Sequence, residues 1–402
     1  MSICFIMNVN KMSKSKIFSA SLLVAGTAIG AGMLALPVAT AQGGFWPAIV
    51  IYLICWIFSV CTGLLLLEAC FWLPKDSNIV SLSSHLLGKK GKAASWILYL
   101  FLFYCLTIAY VAGGGKTIGA LADGLPDSIS ILLFVLIFSP VVYIGTRAVD
   151  RLNFILMVGL IVSFIVFVLV GFGKVNIDLL GNFHWPAAIL SLPVVFTSFS
   201  YQGIVPSMRN YFHGEYKSVR RVILIGSSIP FFIYIIWEYL ILGIVPLDGL
   251  LLAKQQGLSA IVPLKEHAQA QYIYAIGQAF GFCALTTSFL GVTLGLFDFL
   301  SDGLNLPKKG KNKLFLYVCV YLPPTIIAML NPDIFLRALG YAGGIGCALL
   351  LGLFPVMMVW SGRYRKNLDR RHEQLKGGKV VLVLLALFVI FELIVEGISE
   401  LL

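Results

Sequence analysis

Two short stretches place small polar side chains and helix-breaking residues inside otherwise apolar runs. The first, GTAIGAGMLALP at Gly26–Pro37, contains three glycines and a proline, and the second, FTSFSYQGIVPS at 196–207, contains a glycine and a proline. A glycine within a helix costs about 1 kcal/mol relative to alanine, so the first stretch predicts that a helix opens there. The N–H groups that begin the second half of an opened helix carry partial positive charge, and the free carbonyls of the opened turn accept hydrogen bonds from an amino group or bind a cation. Such a break can seat the zwitterionic part of an amino acid.

We therefore expect a substrate site made from both stretches. Its predicted residues are Thr27, Ala28, Gly30, Ala31, Gly32, Thr197, Ser200 and Gln202, with an aromatic wall of Tyr110, Phe196, Phe199 and Tyr201. Gly26 and Gly30 also have the small-xxx-small spacing with which two helices pack closely. Packing is thus an alternative role for these glycines, and an apolar core is the alternative for the phenylalanines.

Ionisable residues inside apolar runs are rare and mark functional positions in membrane proteins. Five occur here: Glu68, Lys116, Glu238, Asp298 and Glu392. Lys116 and Glu238 are candidates for carrying a proton or forming an ion pair, and the sequence leaves open whether they meet. Glu68 and Asp298 lie near span ends, where pairing with loop lysines is an equal alternative. Glu392 is expected near the outer surface.

Three consecutive hydroxyls in a later apolar run, Thr286, Thr287 and Ser288, are further coupling-ion candidates. Hydroxyls of this kind can line an ion site, but they more commonly bond carbonyls of their own helix.

Sequence motifs of enzymes and metal sites are missing. GGGKT at 113–117 has Tyr110 where a phosphate-binding loop needs its first glycine. The five histidines form no metal-ligating motif, no CxxC pair exists, and no nucleophile elbow is present. The sequence therefore predicts neither an enzyme nor a cofactor or metal.

The stretches described above must be positioned by membrane-spanning helices. The chain has 402 residues, of which 59% are hydrophobic and 12% charged, whereas soluble domains carry about 25% charged residues. A span needs about 20 mostly apolar residues, which predicts an all-α polytopic membrane protein in the lipid bilayer with about 11 spans. These lie near 17–41, 45–72, 94–122, 129–146, 152–173, 187–207, 219–246, 270–300, 313–331, 334–360 and 379–397.

The positive residues predict how these spans are oriented. Of the 29 lysines and arginines, 24 fall in alternate segments that include the N-terminus, and positive residues concentrate on the cytoplasmic side. The N-terminus is therefore predicted inside and the C-terminus outside. The net charge of +11 lies in these short loops, which argues against a nucleic-acid partner. The sequence predicts no oligomeric state.

The two interrupted runs are the first and the sixth, so they cross the membrane in opposite senses. Interrupted helices in corresponding positions of two halves indicate a transporter's binding site. We predict a cytoplasmic tail at 1–16, a five-span repeat at 17–173, an inverted five-span repeat at 187–360 and an extra span at 379–397. Two connections, 77–87 and the long loop 246–269, can each hold a surface helix, and a plain solvated loop is the equal alternative for both.

The stretches GTAIGAGMLALPVATAQGGFWP, FTSFSYQGIVPS and TSFLGVTLGLFDFLSDGL resemble the hydroxy and aromatic amino acid permease family, in particular its bacterial tyrosine-specific and tryptophan-specific members. The resemblance covers essentially the whole chain. It implies the leucine-transporter-like fold of the amino acid/polyamine/organocation superfamily. It also implies proton symport of an aromatic amino acid across the inner membrane by alternating access, with tyrosine expected first and tryptophan next.

Two positions depart from the pattern of this family. Ser200-Tyr201-Gln202 stands where the family has a glycine-phenylalanine-histidine-like run, and Lys116 stands where it has a small or polar residue. Gln202 cannot titrate, so it can bond the substrate but cannot carry the proton. Sodium coupling, a serine- or threonine-type substrate and a non-transporting membrane receptor are the alternatives.

Overall fold

The computed structural model describes residues 2–73, 77–121, 125–267 and 271–401, and the side chains among these except those of 2–14, 267 and 271. Helices are the regular secondary structure throughout these ranges. The helix that carries the first span begins at Ser2, so the predicted tail at 1–16 includes helical backbone.

Ten spans can be recognised by length and hydropathy in the described ranges. The first is a bent pair, Ser15–Ala28 and Ala31–Thr40. The second to fifth are Phe45–Phe71, Ile79–Leu121, Asp127–Ile144 and Thr146–Lys174, and the seventh to eleventh are Tyr216–Ile244, Tyr272–Gly303, Gly310–Leu330, Phe335–Arg365 and Gly378–Ser399. The run predicted as the sixth span is also helical, but in pieces too short to meet the same test.

The first span opens where its glycines cluster. Its two halves meet at an angle of 55°, and Ile29 and Gly30 lie between them. The N–H of Ile29 still bonds the carbonyl of Ala25 at 2.9 Å, so the first half is complete up to the break. Gly26 lies inside the first half, which places the opening at the second of the three glycines.

The sixth span is divided by its prolines. It consists of Trp185–Leu190, Leu192–Ser198, the 3₁₀ turn Gln202–Ile204 and Val205–Tyr211. Proline occupies the first or second position of the three α-helical pieces, where its missing N–H costs nothing. The break itself falls at 199–201, within the predicted stretch.

The third span carries the predicted surface helix at its start. Ile79, Leu82 and Leu86 are buried on one face of this first part, and the chain kinks at Gly88, whose φ is +79°. The kink connects the surface helix directly to the span. The helix expected at 77–87 is therefore present from Ile79, and it joins the span at this kink.

The long loop between the seventh and eighth spans lies over the second half of the first span. It contains the helix Leu247–Gln255, and the N–H of Ala260 donates to the carbonyl of Leu34 at 2.9 Å. We call the side of the molecule that carries this long loop the C-terminal face. The opposite side, where the first span begins, is the N-terminal face. The loop thus covers the breaks from the C-terminal face.

Candidate functional site

A cavity of about 270 Å³ lies at the two breaks and is bounded by the first, third, sixth, eighth and tenth spans. Nine of the predicted substrate residues line it: Thr27, Ala28, Gly30, Ala31, Gly32, Tyr110, Thr197, Ser200 and Tyr201. Its other lining residues are Tyr99, Leu102, Phe103, Leu106, Ser198, Gly203, Ile204, Ser288, Val292, Cys347 and Leu351. Most of these lie between the breaks and the N-terminal face.

The eighth span completes the first break. The N–H of Ala31 donates to Ser288 Oγ at 3.0 Å. A Cβ on Gly30 would lie 2.3 Å from the same oxygen, and a Cβ on Gly32 would lie 2.8 Å from Ser198 Oγ. Gly30 and Gly32 therefore allow the eighth and sixth spans to approach the first break closely, in addition to opening the helix. A Cβ on Gly26 would meet only Met157 Cε at 3.7 Å, which is ordinary contact.

A tyrosine that the sequence reasoning missed joins the two breaks. The buried Tyr234 hydroxyl of the seventh span lies 2.6 Å from the carbonyl oxygen of Ala28 and 2.9 Å from that of Ser198. It has one proton to donate, so it serves one carbonyl at a time. The signal in the sequence was its spacing of four residues from Glu238, which puts both side chains on one helix face.

Three predicted substrate residues lie outside the cavity lining. Phe196 packs edge-on against Phe58 with centroids 5.1 Å apart, and Phe199 packs edge-on against Tyr234 at 5.1 Å. Gln202 Nε2 donates to Thr62 Oγ1 of the second span at 3.0 Å. These side chains point away from the cavity because they fill the contact between the sixth span and its neighbours.

The aromatic lining of the cavity is therefore different from the predicted wall. Tyr110 and Tyr201 belong to both, while Tyr99 and Phe103 of the third span take the place of the two phenylalanines. Tyr201 is anchored by its hydroxyl, which donates to the carbonyl of Ser59 at 3.0 Å.

Glu238 and Lys116 do not meet. Glu238 is fully buried, accepts a short hydrogen bond from Thr40 Oγ1, and accepts one from the Tyr52 hydroxyl at 2.6 Å. Lys116 instead pairs with Asp127 at 2.8 Å and Asp333 at 2.9 Å. Glu238 thus joins the first, second and seventh spans, whereas Lys116 joins helix ends at the C-terminal face.

The three hydroxyls of the eighth span have different surroundings. Ser288 lines the cavity, while Thr287 bonds the carbonyls of Cys283 and Ala284 in its own helix at 2.9 and 3.0 Å. Thr286 Oγ1 is buried without a hydrogen-bond partner in the described part of the chain. Of the three, Ser288 alone touches the candidate site.

The three other acids that the sequence singled out lie within the spans: two of them form ion pairs, and the third is not where the sequence predicted it. Arg363 binds Glu68 through two contacts of 2.6 and 2.7 Å, with both side chains buried. Asp298 pairs with Lys308 at 2.6 Å on the surface. Glu392 was expected near the outer surface, but it is fully buried, because its helix turns that face toward the tenth span.

The chain is similar in fold and in sequence to known transporters. It aligns over 94% of its length with 85% of a manganese transporter of Eremococcus coleocola, with a TM-score of 0.57 and 14% identity, which shows the fold alone. A tyrosine-specific transport system 1 of Haemophilus influenzae is 32% identical, covering 94% of this chain and 95% of that protein. A tryptophan-specific transport protein of Pseudomonas aeruginosa is 31% identical, covering 93% of each.

A glutamine transporter 2 of Aliivibrio fischeri is also 31% identical, covering 93% of this chain and 97% of that protein. These relatives are transport proteins that span the same length as this chain, as expected if it is not an enzyme. The model of the tryptophan/tyrosine permease family matches residues 13–396. With that match and with relatives above 30% identity over nearly the whole chain, this multi-pass protein belongs to the tryptophan/tyrosine permease family.

Proposed function

We propose that this protein imports an aromatic amino acid, tyrosine first and tryptophan next, by proton symport with alternating access. The observation that carries the proposal is the cavity at the two helix breaks, where backbone groups and four aromatic side chains meet. The N-terminus lies in the cytoplasm and the C-terminus outside, and the membrane is the bacterial inner membrane. The five-span repeats at 17–173 and 187–360 place the two breaks in corresponding positions.

The substrate carboxylate sits at the start of the helix Ala31–Thr40. The first N–H groups of a helix have no intrahelical acceptor and carry partial positive charge. Ser288 accepts the N–H of Ala31 and retains its own proton to donate to the carboxylate. The side chain of the substrate then lies among Tyr99, Phe103 and Tyr110, where ring packing adds about 0.5–1.5 kcal/mol.

Glu238 is the group that carries the coupled proton. Its carboxyl bonds Thr40 at the end of the first span and Tyr52 of the second. The Tyr52 ring in turn packs edge-on against Tyr234, with centroids 6.5 Å apart. Gain or loss of the proton changes which of these hydrogen bonds can form, and Tyr234 touches both breaks. The protonation state of Glu238 is thereby linked to the geometry of the substrate site.

Lys116 and the long loop close the site from outside. Lys116 bridges Asp127 and Asp333, and the loop is bonded to Leu34 of the first span. The cavity extends toward the N-terminal face, so this conformation is open toward the cytoplasm. Alternating access requires these outer contacts to break when the cytoplasmic side closes.

Uptake into proteoliposomes tests both the substrate and the coupling ion. Labelled tyrosine is expected to accumulate under an imposed pH gradient but not under an imposed sodium gradient. Glu238→Gln should abolish this accumulation and retain tyrosine exchange, whereas Glu215→Gln, an exposed acid just before the same helix, should behave as wild type. Accumulation driven by sodium would overturn the proton assignment, and absence of any flux would favour a receptor.

Competition between labelled tyrosine and a panel of unlabelled amino acids identifies the preferred substrate. Unlabelled tyrosine and tryptophan should compete most strongly with labelled tyrosine, followed by phenylalanine, with serine, threonine and glutamine weakest. Stronger competition by serine or threonine, or by glutamine, would replace the aromatic substrate with the corresponding polar one.

A further inference from the structure

Three carboxylates form a row on one face of the eleventh span. Glu392, Glu396 and Glu400 are spaced four residues apart, which places them on the same side of the helix with about 6 Å of rise between neighbours. Glu392 is fully buried, Glu396 is 5% exposed, and Glu400 is exposed. The row therefore leads from the C-terminal face into the interior.

The innermost member, Glu392, has no partner for its charge. Neither of its side-chain oxygens has a hydrogen-bond partner among the described residues. An ionised carboxylate buried without a partner costs several kcal/mol, whereas a carboxyl group that holds a proton avoids this cost. The surroundings of Glu392 thus favour a bound proton.

The groups that face this row are acidic or neutral over most of its length. Glu392 has Cys55 of the second span and Cys347 of the tenth as electrostatic neighbours, and Glu396 has Cys105 of the third. The other helices packed against the eleventh span, Trp185–Leu190 and Leu192–Ser198 of the sixth span and Phe354–Trp360 of the tenth, contain no titratable side chain.

Near the surface, Tyr341 donates its hydroxyl to Glu400 at 2.8 Å and has Glu396 and Arg337 as electrostatic neighbours. Tyr341 thus lies near the two outer carboxylates of the row and is hydrogen-bonded to Glu400. Arg337 is the cation of this cluster among the described residues, and it lies at the outer end of the row.

The row also reaches the wall of the substrate cavity. Cys347, the neighbour of Glu392, lines that cavity and belongs to the π-helical segment Ala342–Leu353. A Cβ on Gly344 would lie 2.8 Å from the Cβ of Glu396, so the eleventh span packs directly on this segment. π-Helical turns are rare and occur frequently at functional sites. One wall of the tenth span therefore separates Glu392 from the substrate.

We propose that Glu392 is a second proton-binding site, filled from the C-terminal face through Glu400 and Glu396. A proton fits this site better than a metal ion, because a bound cation of the calcium type needs six or more oxygens. The described residues contain no group of three or more His, Cys, Asp or Glu side chains that could hold one. Its link to transport rests on the proposed symport, but proton binding itself does not.

The first test measures the proton directly on the purified protein. Infrared difference spectra between low and high pH should show a protonated carboxyl band that disappears in Glu392→Gln and persists in Asp178→Asn, an exposed acid in the short 3₁₀ helix Ile177–Gly181. Glu392→Asp should restore a shifted band. Size-exclusion chromatography verifies that each variant is folded. If Glu392→Gln leaves the difference spectrum unchanged, the site does not bind a titrating proton and the proposal fails.

The second test asks whether the proton moves with the substrate. In proteoliposomes with an imposed pH gradient, Glu392→Gln should lose accumulation of labelled tyrosine and tryptophan but retain exchange, and Glu396→Gln should slow accumulation. Accumulation in Glu392→Gln equal to that of Asp178→Asn would overturn the role in coupling. If wild type accumulates neither amino acid, the proposed function fails, while the infrared band still decides whether Glu392 binds a proton.

Discussion

The contact between Gly30 and Ser288 gives the sharpest test of the site. Gly30→Ala would place a Cβ 2.3 Å from Ser288 Oγ but 3.6 Å from Ser288 Cβ. The clash therefore involves the hydroxyl alone. The hydroxyl can rotate away only by giving up its hydrogen bond with the N–H of Ala31.

The expected cost follows from these distances. Overpacking of this kind costs about 1–3 kcal/mol, and the lost hydrogen bond is worth about 0.5–1.5 kcal/mol of that sum. We expect Gly30→Ala to weaken binding of labelled tyrosine by about 5- to 150-fold, since 1.4 kcal/mol corresponds to a factor of about ten. Ser288→Ala removes the clashing oxygen, so the double variant should bind about as well as Ser288→Ala alone.

The measurement is a double-mutant cycle of equilibrium binding on purified protein. Variants are compared only when size-exclusion chromatography shows them to be folded. A coupling free energy of about 1–3 kcal/mol is expected, within the range for residues in direct contact. Additive effects, with the double variant weaker than either single one, would refute the close approach of the eighth span to the first break.

Four further variants test hydrogen bonds and ion pairs of the spans. Tyr234→Phe should lower the free energy of unfolding by about 1–3 kcal/mol, because the buried carbonyls of Ala28 and Ser198 lose the single donor that they share, and thermal denaturation in detergent measures this. In the same assay, Glu68→Gln should cost about 1.5–3 kcal/mol, because buried Arg363 loses its two charge-assisted hydrogen bonds to the Glu68 carboxylate and keeps its ion pair with Glu373 at 2.8 Å. Lys308→Met should cost at most about 1 kcal/mol because its ion pair is exposed. Ser259 of the long loop lines a small pocket together with Lys116. Lys116→Met should increase thiol labelling of Ser259→Cys from outside, because the outer contacts weaken; unchanged labelling would contradict a closing role for Lys116.

Local sequence was sufficient to predict the spans and their interruptions. In lipid, the backbone N–H and C=O groups of an apolar run of about 20 residues can be hydrogen-bonded within the run only if it is a helix. Hydropathy was therefore sufficient to locate the spans. Glycines at the first break and prolines at the sixth span act on the backbone of their own segment, and the structure opens both helices within the predicted stretches. For the same reason, most predicted backbone positions of the first break line the cavity.

The tertiary structure decided which side chains face the cavity. Phe196 and Phe199 differ little in type from Tyr99 and Phe103, yet only the latter pair lines the site, because the rotation of each helix is set by packing against its neighbours. The bridge formed by Tyr234 depends on the assembly of the first, sixth and seventh spans, of which the first is distant in sequence from the other two. The burial of Glu392 depends in the same way on the face that its helix turns toward the tenth span. The residue type alone determines that an ionisable group is costly in a membrane. Which partner such a group contacts, if any, is determined only when the helices assemble.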